Sequence, residues 1–180
     1  MSYTLAIKNF VSLSDDELIK ILELRNSERV RNNMANSEII SLDSHLSFCR
    51  SLKNRKDIFY FGVYVNSSLE GVLDLKFFDN DKLSYESGSY FIENSKYNIS
   101  YYANLAGFII AKSMGLKRVT CYVLKDNLQA MLLNTCKLKY KITHSDEKYY
   151  YLEKSLDDDV IHTEVLSKLI SKRFSLMLDI

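Results

Sequence analysis

Proline is absent from this 180-residue chain, and glycine occurs only five times. Element boundaries must therefore be read from hydrophobic period and capping residues rather than from the usual chain breakers. Cysteine is scarce too. Cys49, Cys121 and Cys136 are an odd number with no C-x-x-C spacing, which indicates neither a disulfide framework nor a zinc site, and no metal is expected. Each stands in an apolar periodic segment and is expected to be a buried free thiol. No apolar run approaches the length of a membrane span, and no basic stretch followed by an apolar one opens the chain. The expected location is cytoplasmic, without a membrane partner. Charge of one sign is not in excess either. Twenty-four basic residues against 23 acidic ones give a formal net charge of +1, so nothing draws the chain electrostatically to nucleic acid. Repeats, low-complexity tracts and linkers are also missing.

Hydrophobic residues make up 47% and charged residues 26%, the balance of a soluble globular protein of one domain. Residues 3–10 read as a strand. Ser14-Asp15-Asp16-Glu17 then reads as a capping box that opens a helix carrying Leu18, Ile21 and Leu22 on one face. After a polar stretch, Ser41 or Asp43 opens a second helix with Leu42, Leu46 and Cys49 as its apolar side. The period then changes to two. Residues 58–65 and 69–77 read as a hairpin about Asn66-Ser67-Ser68, and Asp79-Asn80-Asp81 turns the chain into a third antiparallel run, 83–92. A helix over about 100–114 ends at Gly115. Residues 118–124 form a buried strand, and Asp126 or Asn127 caps a helix carrying Ala130, Leu132 and Leu133. Two short strands follow near 139–143 and 148–153. The tail from Asp158 to Met177 reads as an amphipathic helix through Ile161, Val165, Leu169 and Ile170, with acidic residues at its start and basic ones at its end. That helix fits either a homodimer contact or a cover over the sheet. The fold class is α+β, a mixed and mostly antiparallel sheet flanked by helices.

This order of elements, and the segment 122–130 (YVLKDNLQA) with its helix-start Asn127, resembles the GNAT acyltransferases. Within them the N-terminal half is similar to the amino-sugar N-acetyltransferases of the pseudaminic acid pathway, used in bacterial surface glycosylation. The similarity is carried by Leu24-Arg25-Asn26, Met34, His45-Leu46-x-Phe48, Gly71-Val72 and Glu86-x-Gly88-x-Tyr90, and it spans about residues 3–153. Residues 1–154 are then the GNAT domain, and 155–180 a C-terminal helical extension of the same domain. The resemblance implies a sheet splayed between its fourth and fifth strands, acetyl-CoA or another short-chain acyl-CoA as co-substrate, and a UDP- or dTDP-linked amino sugar as acceptor. Another amine acceptor, or a binding module without catalysis, are the competing readings.

Carried over residue by residue, Arg25, Met34, His45 and Asp74 would line the acceptor site, where the planar guanidinium of Arg25 suits phosphate. Glu86 would be the general base, with Asp74 and His45 as competitors. A backbone N–H at Phe91 or Ile92 would face the thioester oxygen. Lys96, Asn98, Ser100 and Tyr101 would meet the pyrophosphate at a helix N-terminus, and Asn127 would also contact the coenzyme. Two departures stand out. The family's Gly-x-Gly positions fall on Tyr97 and Ile99, whose side chains are expected to restrict that loop. The tyrosine that usually protonates the leaving thiolate falls on Asn134, with water or Tyr140 as a substitute.

Overall fold

A computed structural model describes residues 3–78, 81–93, 95, 97–157 and 162–180. Strand β1 (Tyr3–Asn9) leads through a 3-10 turn to helix α1 (Asp15–Asn26). The capping box is formed: Ser14 Oγ accepts the Glu17 N–H at 3.3 Å, and Glu17 Oε2 accepts the Ser14 N–H at 3.1 Å. A four-residue helix, α2 (Glu28–Arg31), lies inside the polar stretch, and α3 (Leu42–Ser51) starts at Ser41 as N-cap. Its buried face is His45 and Cys49, while Leu42 is exposed, so the apolar stripe is rotated from the one expected.

Strands β2 (Ile58–Val65) and β3 (Ser68–Phe78) form the expected hairpin, with Asn66 and Ser67 both at positive φ in the tight turn. Strand β4 (Asp81–Phe91) follows; the turn expected before it lies partly outside the described residues. Helix α4 (Ile99–Ser113) carries the chain across to β5 (Arg118–Leu124), the crossover a parallel pair requires. Gly115, at φ +79°, closes α4: its N–H bonds Lys112 O and the Leu116 N–H bonds Ala111 O, a Schellman arrangement. Helix α5 (Leu128–Leu132) runs on into a π-turn (Leu133–Lys137), with Asn127 as the N-cap. Leu132 is exposed, against expectation. Strands β6 (Lys141–Ser145) and β7 (Tyr149–Ser155) precede α6 (Thr163–Ser171) and β8 (Phe174–Asp179).

The tail is thus not one helix to Met177. Past Lys172-Arg173 the run FSLMLD alternates with period two, and it pairs parallel to β1 from Tyr3↔Phe174 to Lys8↔Asp179. Ile161 lies outside the described residues. The eight strands form one sheet ordered β6-β7-β5-β4-β3-β2-β1-β8. One face carries α4 and α6, and α4 is buried from Ala103 to Ala111 because it packs against both the sheet and α6. Leu166, Ile170 and Phe174 join that core, so the tail covers the sheet. The opposite face carries α1 and α3 over a smaller cluster of Phe10, Leu18, Ile21, Cys49, Leu52, Ile58 and Val72. Of the cysteines, Cys49 is buried, Cys121 half-buried and Cys136 exposed, so the third departs from expectation.

Candidate active site

β4 and β5 pair only from Ser84↔Arg118 to Glu86↔Thr120. Beyond that point β4 stays bonded to β3 as far as Phe91, and β5 stays bonded to β7 as far as Leu124. The two strands follow different neighbours and part, leaving a gap in the middle of the sheet. Backbone direction decides what faces the gap. The Ile92 N–H donates to Glu70 O at 2.8 Å on the β3 side, whereas Leu83 O accepts from the Lys117 N–H at 2.8 Å on the β5 side. Polar groups alternate along a strand, so those of Ser87, Ser89 and Phe91 face the gap, an edge open to an amide-bearing extended chain. Ile92 is thereby excluded from the oxyanion role, because its N–H is spent within the sheet. Phe91 keeps it. Arg29, which sequence reasoning missed, donates a guanidinium N–H to Phe91 O, so α2 touches the rim of the gap.

On the α1/α3 side of the sheet, register gathers a charged cluster. Asp74 lies across from Gly88 and Lys76 across from Glu86, and period two puts all four on one face together with Tyr90. Lys76 Nζ stands 3.4 Å from both Asp74 Oδ1 and Glu86 Oε1. The Asp74 contact is an ion pair without hydrogen-bond geometry, which leaves that buried oxygen without a hydrogen-bond donor among the described residues. Burial pushes Asp74 above the usual carboxylate range, and the Lys76 charge only partly offsets this. For Lys76 burial acts downward, but Asp74, Tyr60 and Glu86 together outweigh it and the ammonium is held. Burial, then the Asp74 charge, pushes the Tyr60 phenol up to about 12. Glu86, half-buried like Lys76, stands at the last paired position before the gap. Lys76 is not among the residues the sequence pointed to, although its i+2 spacing from Asp74 puts both on one face of β3.

Arg25 occupies the last turn of α1 and is 9% exposed. One guanidinium N–H donates to Asn36 O at 2.8 Å, and Nη1 is buried with no hydrogen-bond partner among the described residues. Its charge acts on Tyr90 across the face. Neighbouring Asn26 holds both Ile40 N and Ile40 O, and so ties the loop containing half-buried Met34 to α1. His45 is committed elsewhere: its Nε2 lies 3.0 Å from Leu18 O. A carbonyl only accepts, so that nitrogen carries the proton and joins α3 to α1. Burial lowers the His45 pKa despite the Leu18 bond. Both findings favour a structural role for His45.

At the other end of the gap, Asn98 starts α4 at φ 52°, a left-handed conformation asparagine tolerates. The glycine positions are accommodated differently from expectation. Tyr97 packs on Tyr3 and Phe174, and Ile99 is buried in the core, so both side chains are used for packing. Ser100 and Tyr101 stand in the first turn of α4, where helix N–H groups favour an anion. Lys137 Nζ, 3.3 Å from Asn98 Oδ1, places a cation beside them. Lys96 lies outside the described residues. Asn127 uses its side-chain oxygen to cap α5 at Ala130 N, 3.1 Å. Asn134 turns its amide back onto Ala130 O at 2.9 Å inside the π-turn. Tyr140 is buried in the core beside Phe108, with burial raising its phenol far above the ordinary value, and so does not stand in for the missing tyrosine.

No family model matches the chain. It is 27% identical over 146 residues to acetyltransferase PseH of Campylobacter jejuni, covering 81% of this chain and 90% of that one. The crystal structure of the same C. jejuni N-acetyltransferase superposes with a TM-score of 0.67 at 23% identity, over 84% of this chain and 97% of that one. FdhC, described as a nucleotide-linked sugar GNAT, superposes with a TM-score of 0.72 at 16% identity over 92% and 94%. The chain therefore has the GNAT fold and is an N-acetyltransferase homologue, distantly related to PseH.

Proposed function

We propose that the protein transfers a short acyl group from coenzyme A to the amino group of a nucleotide-linked amino sugar. The observation that carries this reading is the gap past Glu86↔Thr120, with an open β4 edge on one side and an ion-paired carboxylate at its mouth. A bound acyl-CoA would supply an activated carbonyl and a thiolate leaving group. Phe91 and its neighbours Ser87 and Ser89 would hold the extended arm by backbone hydrogen bonds, and the Phe91 N–H would stabilise the oxyanion. Asn98, Ser100, Tyr101 and Lys137 would receive the pyrophosphate end.

Glu86, paired with Lys76, would accept the proton the amine must lose before its lone pair can attack. Asp74 would anchor Lys76 from behind. Arg25, whose buried Nη1 has no hydrogen-bond partner among the described residues, would take an acceptor phosphate, with Met34 lining the same side. The relationship to PseH and the fold shared with a nucleotide-linked sugar GNAT support an amino-sugar acceptor over other amines.

The test is thiol release from acetyl-CoA and other short acyl-CoAs in the presence of UDP- and dTDP-linked amino sugars. Turnover should be lost by about a hundredfold in Glu86→Gln. Absence of turnover with every pair, or an undiminished Glu86→Gln rate, would overturn the reading or its base.

A further inference from the structure

The half of the sheet beyond the gap presents an aromatic surface on the same face as Glu86. Register places Thr120 beside Glu86, Tyr122 across from Tyr151, and His144 across from Tyr151 on the other side. Tyr149, Tyr151 and Glu153 alternate on that face, while Tyr150 and Leu152 turn to the α4 core. The rings meet each other. Tyr122 stands edge-on to Tyr149 at 5.2 Å, and His144 lies flat on Tyr151 at 4.2 Å with 4° between planes. The Tyr151 hydroxyl donates to Asp146 Oδ2 at 2.8 Å, which fixes its ring. Tyr122 is 37% exposed and His144 is exposed, because α1 and α3 lie over β2 and β3.

We propose that Tyr122, Tyr149 and Tyr151, backed by His144, form a shelf that holds the pyranose ring of the acceptor while its amine reaches Glu86. A pyranose has apolar C–H faces and a polar rim. Aromatic rings cover the first, and Asp146, Glu153 and Thr120 border the shelf to receive the second. Position makes the choice of sugar over nucleobase. The reacting nitrogen must stand at Glu86, so the ring bearing it must lie next door, and the Glu86 and Lys76 charges both act on the Tyr122 phenol. The phosphates then run the other way, towards Arg25. The inference rests on the amino-sugar reading above.

Two measurements on the full chain separate its failure from failure of that reading. With acetyl-CoA and UDP-glucosamine, Tyr122→Leu and Tyr149→Leu should each raise the sugar KM about tenfold and leave the acetyl-CoA KM unchanged. Tyr122→Phe, which keeps the ring, should retain the wild-type value. Saturation-transfer NMR with UDP-glucosamine reads the contact without turnover. Transfer to the sugar C–H protons should be strong in wild type and fall several-fold in Tyr122→Leu. Turnover with unchanged sugar KM in both leucine variants overturns the shelf and leaves the reaction. Strong sugar-ring transfer from a protein that acetylates nothing overturns the reaction and supports the shelf. Transfer confined to the uracil protons overturns the shelf.

Discussion

Asp74 lies directly over the α-carbon of Gly88: a Cβ built there would stand 2.5 Å from Asp74 Oδ2 and 3.0 Å from its Cγ. Glycine at 88 is thus what lets a buried carboxylate sit against β4 behind Lys76. Gly88→Ala should displace Asp74 and cost about 1–3 kcal/mol of stability, the usual scale of overpacking. Thermal unfolding measures the loss, and turnover should fall alongside it as Lys76 leaves its place beside Glu86. An alanine variant as stable and active as wild type would show that Asp74 moves aside freely.

Asp74 also gives a prediction in pH. Burial raises its pKa, so the folded protein binds that proton more tightly than the unfolded chain does. The site therefore favours folding when protonated, and that advantage is lost as pH rises from the ordinary value of 3.8 through the raised one. Asp74→Asn should be at least as stable as wild type at neutral pH, with the difference shrinking in acid. A variant much less stable at neutral pH would mean that the Lys76 ion pair outweighs burial. The same variant tests roles: a larger rate loss than in Glu86→Gln would move the base to Asp74.

His45 should act in the opposite window. Its pKa lies below 6.5, so as pH falls through that value the unfolded chain takes up a proton that the folded one refuses. Stability is fully present above 6.5 and is lost in acid. His45→Gln keeps an N–H for Leu18 O without titrating, and should lose less stability than wild type between neutral and mildly acidic pH. Parallel pH profiles of Tm for the two proteins would sink this account.

Phe174 begins β8 and is 1% exposed, against Tyr97 and Tyr102. Phe174→Ala should cost about 3–5 kcal/mol, as for large aromatic truncations in cores. Urea unfolding would read it. A cost near zero would mean that the tail contributes little to the sheet.

Much of this is legible in the sequence. The capping box at Ser14 and Glu17, the hairpin at Asn66-Ser67 and the stop at Gly115 are local devices, each set by side chains within a few residues of the bond they make. Glu86, Gly88 and Tyr90 could be put on one face because strand alternation is fixed by covalent geometry. Where reading failed, the deciding partner was far away in sequence. Leu42 and His45 compete for one face of α3, and the carbonyl of Leu18 on another helix settled it for His45. The tail carries enough apolar residues for a helix throughout, but the free edge of β1 drew residues 174–179 into a strand.

By itself, then, the sequence determined the α+β order of elements, their caps and turns, and which strand residues share a face, because these follow from backbone sterics and period. Only the tertiary structure decided which N–H groups face the gap, where Lys76 stands between two carboxylates, and that Tyr97 and Ile99 turn inward. Those depend on strand register and on which neighbour each strand edge bonds, and such pairings join residues far apart along the chain.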